Sequence, residues 1–253
     1  MSLIRHIHSS GRYDRPASAL ASALASYGDR EANLITLTEQ ANAKHRLALQ
    51  TFTGDYNYDV VQGIGYGADC AIVVKKSDFT VLRVWAEKAT KYEQRRGPGG
   101  PPPAEYITAL LEDRKTTKRV IVSVIHLPSH VEWDWTDKGA YSGFAWRVMV
   151  WRDAHRNWSK HLGQVKRSYK CTDLIMVADW NLNFKKRVFR VLLNTLHPTL
   201  KLGWYWKKLP TGGTEGTRLI DATLTNLKIK SHAQLLVDDE SSDHRPYVEL
   251  LEL

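Results

Sequence analysis

Leu174-Ile175-Met176-Val177-Ala178-Asp179-Trp180-Asn181-Leu182-Asn183 sets an unbroken apolar run against an acid and two amides. An apolar run of roughly four to eight residues with polar borders reads as a strand covered on both faces. A strand that ends in Asp and Asn offers oxygen ligands at the rim of a core, where layered α/β proteins build hard-cation and phosphate sites. The plainer reading is a strand followed by an Asx-type turn, since Asp and Asn both cap turns. Asp179 and Asn181 alternate with Trp180, so in an extended chain both face one side and Trp180 packs on the other. The rest of the chain has to decide between a site and a turn.

Bulk properties narrow the field. The chain has 253 residues, 43% of them hydrophobic, as in an ordinary globular protein. The length allows one large α/β or two-sheet domain or two small ones, and strand patterns that resume directly after the loop at 94–103 favour a single domain over residues 1–253. No apolar run is long enough to span a bilayer. The opening residues Met1 to His6 turn charged too early for a secretory signal. Cys70 and Cys171 lie in apolar, strand-like runs and read as core residues, with a disulfide between them as the alternative. A reduced, cytoplasmic, monomeric protein without membrane association is the simplest expectation. Lys and Arg number 36 against 27 Asp and Glu, a net charge of +9. Such a balance favours polyanions, and nucleic acid is the commonest of them.

Working outward, the same pattern recurs. Leu3 to His8 is an opening strand, Pro16 a first helical residue, and 17–27 a helix that Gly28 ends. Residues 32–40 read as a strand that delivers Glu39 at its C-terminal end. A helix over 42–50 leads to a polar loop at 53–57 and a glycine-rich turn at 63–67; no helix follows those glycines, so they are not a phosphate cradle. Residues 68–75 and 79–85 read as consecutive strands of a hairpin or meander. The Gly-, Pro- and Arg-rich stretch 94–103 is an exposed loop. Arg119 to His126 is a third apolar strand with a polar end. Ser142 to Gly163 is the longest helix, and Arg147, Arg152, Arg156 and Lys160 form a basic, solvated face on it. Beyond Asn183 a helix runs through Leu196, and Trp204-Tyr205-Trp206-Lys207-Lys208 interleaves aromatic and basic residues. Short strands at 219–224 and around 226–230 precede a last strand that opens with Asp243-His244.

Glu39, His126, Asp179, Asn181, Asp221, Asp243 and His244 together supply the roles of phosphodiester hydrolysis. Glu39 can hold a hard divalent ion, for which one or two carboxylates suffice. Asp179 and Asn181 can orient an attacking water and a phosphoryl oxygen. His244 can take the water's proton if a carboxylate fixes its tautomer, and Asp221 is the candidate. His126 can stabilise charge developing on the phosphoryl oxygens.

Five segments, Ile35 to Glu39, Ser123 to Leu127, Ala178 to Leu182, Arg218 to Asp221 and Ser242 to Pro246, resemble in order the motifs of the endonuclease/exonuclease/phosphatase superfamily, which includes deoxyribonuclease I and exonuclease III. The resemblance spans nearly the whole chain. It implies a four-layered α/β sandwich, two mostly antiparallel sheets face to face with helices outside. It implies a Mg²⁺-dependent nuclease, with Mn²⁺ as an alternative ion, in which Glu39 binds the metal. Asp179 and Asn181 position water and phosphate, His244 works with Asp221, Asp243 is a further metal-binding or nucleophile-orienting acid, and His126 contacts the phosphate. The family's first strand usually ends in an Asn near the metal. Here that stretch reads Arg5-His6-Ile7-His8-Ser9, so either His8 or His6 stands in its place as a metal ligand, or the amide is lost and the metal site differs in detail. Glu87 is the candidate for the acid that supports the first histidine in deoxyribonuclease-like members. The amide-rich loop of the abasic-site endonucleases is not found. Arg95 and Arg96 in the exposed loop, with Trp204, Trp206 and Lys207, are candidate nucleic-acid contacts.

Two other readings compete: the same chemistry on a small-molecule or lipid phosphoester, and a scaffold that binds DNA without cutting it. A lipid enzyme calls for an exposed apolar hairpin or a leader, and neither is seen. The binding-only reading leaves a nearly complete set of chemical groups unexplained. In this company the end of the 174–183 stretch reads as the middle of a hydrolytic site rather than as a turn.

Overall fold

The computed structural model describes residues 2–10, 16–39, 43–62, 69–91, 103–128, 141–183, 220–235 and 244–253. Eleven strands and three helices lie among them. They are β1 (Leu3–Ser10), α1 (Ala17–Asp29), β2 (Leu34–Thr38), α2 (Ala43–Tyr56), β3 (Tyr58–Gln62), β4 (Ala71–Lys75), β5 (Phe79–Lys88), β6 (Glu105–Asp113), β7 (Arg119–His126), α3 (Tyr141–Ser168), β8 (Leu174–Asp179), β9 (Asp221–Thr225), β10 (Lys228–Gln234) and β11 (Tyr247–Glu252).

One sheet has the order β10-β11-β1-β2-β4-β3 and the other β5-β6-β7-β8-β9. All neighbours are antiparallel except β1 with β2 and β7 with β8. Alternation along the strands builds three apolar layers. Ile4, Leu34, Ile72 and Val74 of the first sheet meet Ile107, Val122, Val124, Ile175 and Val177 of the second. Ile7, Ile35, Leu37 and Val73 point the other way, onto α1 and α2. Ile121, Ile125, Leu174, Met176 and Ala178 do the same toward α3. The result is the expected α/β/β/α sandwich. It also explains the unbroken apolar run of β8: all six of its residues are buried, because helix covers one face and sheet the other. Each fully buried Val, Leu or Ile contributes about 1.5–3 kcal/mol.

Several local readings are corrected. Pro16 is not the first helical residue; it is extended at ψ 139 and caps α1 from outside. Gly28 lies inside α1, which runs on to Asp29. Its smallness serves packing, because a Cβ there would lie 2.8 Å from Cδ1 of Tyr56. The polar segment 53–56 is the last turn of α2, since nothing crowds Gly54 and the helix passes through it. Residues 68–75 and 79–85 are not a hairpin. β4 pairs with β2 and β3, whereas β5 pairs with β6 in the other sheet, so the turn at 76–78 carries the chain across the sandwich. A short turn between two alternating strands looks the same in either case. The last strand starts at Tyr247, and α3 extends to Ser168. On α3, Arg152, Arg156 and Lys160 are exposed and Arg147 is half-buried, as a solvated face requires. Cys70 and Cys171 are both buried and free. No helix among the described residues is long and apolar enough to cross a membrane.

Candidate active site

The inter-sheet layer changes character toward one end. The residues that follow the apolar positions on the same strand faces are His8 on β1, Thr36 and Thr38 on β2, His126 on β7, Asp179 on β8, and Asp221 and Thr223 on β9, all buried. Strand register sets the centre of this polar end. His126 is paired with Asp179, and Asp179 with Asp221, so three adjacent strands place three titratable side chains in one row.

The opposite sheet supplies what faces the row. Asp69, just ahead of β4, brings Oδ2 to 2.6 Å from His126 Nδ1. His126 Nε2 then lies 3.5 Å from Oε1 of Glu39 and 3.6 Å from Oδ2 of Asp179. His244, ahead of β11, brings Nδ1 to 2.7 Å from Oδ2 of Asp221. His8 Nε2 sits 3.5 Å from the other oxygen of Asp221. Two imidazole–carboxylate pairs therefore cross the sandwich, one on each side of Asp179. Glu39 reaches its place through a left-handed backbone at φ 60, a conformation that costs a residue with a Cβ about 1–2 kcal/mol.

Asn181 is also left-handed, at φ 51, and lies outside β8. The alternation expected to bring it beside Asp179 does not operate; a turn does. The Asn181 backbone N–H donates to Asp179 Oδ1 at 2.9 Å, and its Nδ2 donates to the Leu127 carbonyl at 2.8 Å. The Asx turn and the site are one structure. Trp180 packs away from the site as expected, with its Nε1–H donating to the Ala222 carbonyl at 2.9 Å and its ring against Trp158.

Burial alone would push both imidazoles down, but the carboxylates override it. Asp69, with Asp179 and Glu39, lifts His126 to about 10. Asp221, with Asp179 and Glu39, lifts His244 to about 11. Burial and the neighbouring Asp221 charge raise Asp179 to about 7, against the opposing pull of His244 and His126. Burial would raise Asp221 as well, yet the His244 charge and hydrogen bond, with His8, hold it well below the usual carboxylate range.

Ligand atoms of Glu39, His126 and Asp179 lie within 4.8 Å of one another, and so do those of Asp179, Asp221 and His244. Asp69 and Asp221 already occupy an Nδ1 nitrogen each. Glu39 and Asp179 are therefore the oxygen donors suited to a hard cation. Chemically the end of the sandwich offers carboxylates for a cation, one histidine to move a proton and another to face an anion.

The structure gathers Glu39, His126, Asp179, Asn181, Asp221, His244 and His8. His8 adjoins Asp221 but is a member of neither set of clustered donors. Asp243, Arg95, Arg96, Trp204, Trp206 and Lys207, with the helix expected to end at Leu196, lie outside the described residues. Glu87 does not support His126. It accepts the Tyr106 hydroxyl at 2.7 Å on β5, and Asp69 takes that role. Asp69 was within reach of sequence reasoning as an acid where a glycine-rich turn enters the apolar strand at 68–75.

No protein-family model matches the chain, and no curated protein matches it in sequence. Solved structures do match in fold. An endonuclease/exonuclease/phosphatase family protein from Bacteroides thetaiotaomicron superposes with a TM-score of 0.73 at 11% identity, over 99% of this chain and 95% of that one. ANGEL2, a 2′,3′-cyclic phosphatase in complex with adenosine-2′,3′-vanadate, gives 0.72 at 12%, over 98% and 95%. TDP2 from D. rerio, complexed with a single-strand DNA product, gives 0.67 at 14%, over 100% of both chains.

Proposed function

From the fold of the endonuclease/exonuclease/phosphatase superfamily, which this chain shares, we propose that it is a divalent-metal-dependent phosphodiester hydrolase that cleaves nucleic acid. The row His126–Asp179–Asp221, flanked by the two imidazole–carboxylate pairs, is the observation that carries this reading. Glu39 and Asp179, with Asp243, would hold Mg²⁺ or Mn²⁺. A bound ion would polarise the phosphoryl oxygen and offset its charge.

The residues divide the remaining work. Asp221 takes the Nδ1–H of His244, which leaves Nε2 as the nitrogen that accepts the attacking water's proton. Unopposed, the carboxylates keep His244 protonated. A cation held by Glu39 and Asp179 would offset their part of that field and shift the imidazole toward the range of a base. His126 stays cationic through Asp69 and faces the developing charge on phosphorus-bound oxygens. The turn hydrogen bond and the Leu127 carbonyl fix the Asn181 amide plane, so it can orient substrate without rearranging.

Nucleic acid is favoured by the net charge of +9. TDP2's DNA product and ANGEL2's adenosine ligand point the same way. Arg95, Arg96, Trp204, Trp206 and Lys207 are the proposed contacts. ANGEL2's cyclic phosphatase activity supports a second reading, hydrolysis of a small or terminal phosphoester. Incubation with supercoiled DNA, single-stranded DNA, RNA and a small phosphate ester, each with Mg²⁺ or EDTA, separates the two. Cleavage of a polymer that EDTA stops is expected. Turnover of the small ester alone would replace the nuclease reading with the second one.

A further inference from the structure

α3 carries its charge unevenly. Between Tyr141 and Ser168 it has Arg147, Arg152, Arg156, Lys160, Lys166 and Arg167 against Asp153 alone, five of the chain's nine net positive charges. Its apolar stripe, with Trp151, Ala154, Trp158, Leu162 and Val165, is buried against the five-stranded sheet. Between residues 152 and 167 the exposed positions are Arg152, Arg156, Asn157, Lys160, Gln164 and Arg167, with no acid and no apolar side chain among them. Helical geometry places Arg152, Arg156, Lys160 and Arg167 within about 80° of arc, and a rise of about 1.5 Å per residue spreads them over about 22 Å.

A solvated face explains why these residues are exposed, not why they share one sign. Like charges four residues apart, as at 152, 156 and 160, repel, and acids set among them would add support instead. Asp153 does so once, with Oδ1 4.0 Å from Arg156 Nη1. Helix stability therefore gives no reason for the set, whereas a polyanion outside the helix does. The fold gives the stripe a direction. β7 and β8 are parallel, and α3 joins the His126 end of one to the Leu174 start of the other. It therefore begins at the catalytic end and leads away from it. Past its last turn, Arg83 on β5 holds its guanidinium 5.6 Å from the Trp85 ring centre and 5.9 Å from that of Tyr169. An arginine stacked on rings keeps its donors in a fixed plane, the form in which it meets phosphate. An amphipathic helix enters a lipid surface by its apolar face, which here is buried against the sheet. Nucleic acid needs only the outward cations.

We propose that the outer face of α3, from Arg152 to Arg167, binds the phosphate backbone of nucleic acid outside the nucleotides being cleaved. Each cation that meets a phosphate releases a condensed counterion, so this contribution ignores base sequence and falls with salt. The stripe holds a long polymer to the enzyme and does nothing for a substrate too short to reach it.

The inference rests on the nucleic-acid reading for its partner, but binding can be read without turnover. The test takes the full chain in EDTA with labelled DNA of about 30 nucleotides, single- and double-stranded, between about 50 and 200 mM salt. Wild type is compared with Arg152→Gln/Arg156→Gln/Lys160→Gln, in which Gln keeps the helix propensity. A control loses the same charge at exposed positions off α3, as Arg30→Gln/Lys76→Gln/Lys230→Gln. On whichever form binds tighter, the slope of log affinity against log salt should shrink by about two to three in the α3 variant and by less than about one in the control. With Mg²⁺ restored, the α3 variant should show KM for the long DNA raised about tenfold or more at unchanged kcat, and should cleave a tetranucleotide as wild type does. Equal loss of slope in both variants would reduce the effect to net charge and overturn the proposal. So would an unchanged slope in the α3 variant. Anionic phospholipid vesicles that lose the α3 variant while DNA keeps it would assign the face to a membrane and overturn it as well. The expected slopes from a protein that cleaves no polymer would support the surface and count against the nuclease reading. Polymer cleavage with slopes that the α3 variant leaves intact would do the reverse.

Discussion

The His126–Asp69 and His244–Asp221 pairs are alike at the imidazole and unlike behind it. Each joins one sheet to the other through Nδ1, at 2.6 and 2.7 Å. Burial opposes the charge on both rings and carboxylates restore it. Behind Asp69, the neighbouring Cys70 thiol donates weakly to Oδ1 at 3.5 Å. Behind Asp221 stands His8, and a run of hydrogen bonds through Thr36 and His6 leads on to Glu249. Asp221 is also the register partner of Asp179, whereas Asp69 lies outside the row. The contrast teaches that an imidazole–carboxylate contact sets charge but not role. His126 faces two carboxylates directly and is suited to remain a cation; His244 pairs with Asp221, which His8 also adjoins, and is suited to move a proton.

The comparison breaks most easily at the histidines. His244→Ala should lower the single-turnover rate by about a thousandfold or more, and His126→Ala by about a hundredfold. Equal losses would erase the division of roles. At the carboxylates, Asp221→Asn should cost about a hundredfold or more by upsetting the His244 tautomer, and Asp69→Asn about tenfold. A larger loss at Asp69 would reverse the assignment.

A stability measurement sharpens the difference behind the pairs. Glu249 is depressed from 4.5 to about 2, so its contribution is present above pH 4.5 and lost as pH falls toward 2. Its size is on the order of 3 kcal/mol. Thermal melts between pH 5 and 2.5 should show that slope in the wild type and a flatter one in Glu249→Gln. His126 has the opposite sign: raised from 6.5 to about 10, its contribution is full below pH 6.5 and lost as pH rises through 10. Parallel slopes in both proteins at low pH would remove Glu249 as a charged member of the run.

The smallest expected effect concerns metal binding. With Asp179 raised to about 7, an ion binding there at pH 6.5 must displace a proton. Calorimetric titration with Mg²⁺ in buffers of different ionisation enthalpy should show net proton release. Affinity should rise with pH toward neutrality, and Asp179→Asn should weaken binding and remove most of the release. Release unchanged in that variant would place the cation elsewhere.

Much of this was legible in the sequence because the site sits where apolar strands end. β8 betrays itself by an unbroken apolar run, and Glu39, His126 and Asp179 follow such runs directly. What stayed hidden depends on pairing between distant segments. The His6–Glu249–His232 contacts need the register of β1, β11 and β10, which no local pattern encodes. The crossing between β4 and β5 is settled by their partners, not by the turn that joins them. Asp69 precedes its strand instead of ending it, so a search among strand ends passes over it. At Asn181 a left-handed residue breaks the alternation and brings the amide to the site by a turn.

Hydrolysis in ¹⁸O-labelled water puts the central claim to its most direct test. Single turnover of a labelled nucleic acid with Mg²⁺ should place the heavy oxygen on the phosphate product, with EDTA and His244→Ala each stopping the reaction. Heavy oxygen in the released hydroxyl, or cleavage that survives both treatments, would contradict attack at phosphorus by a water that His244 deprotonates.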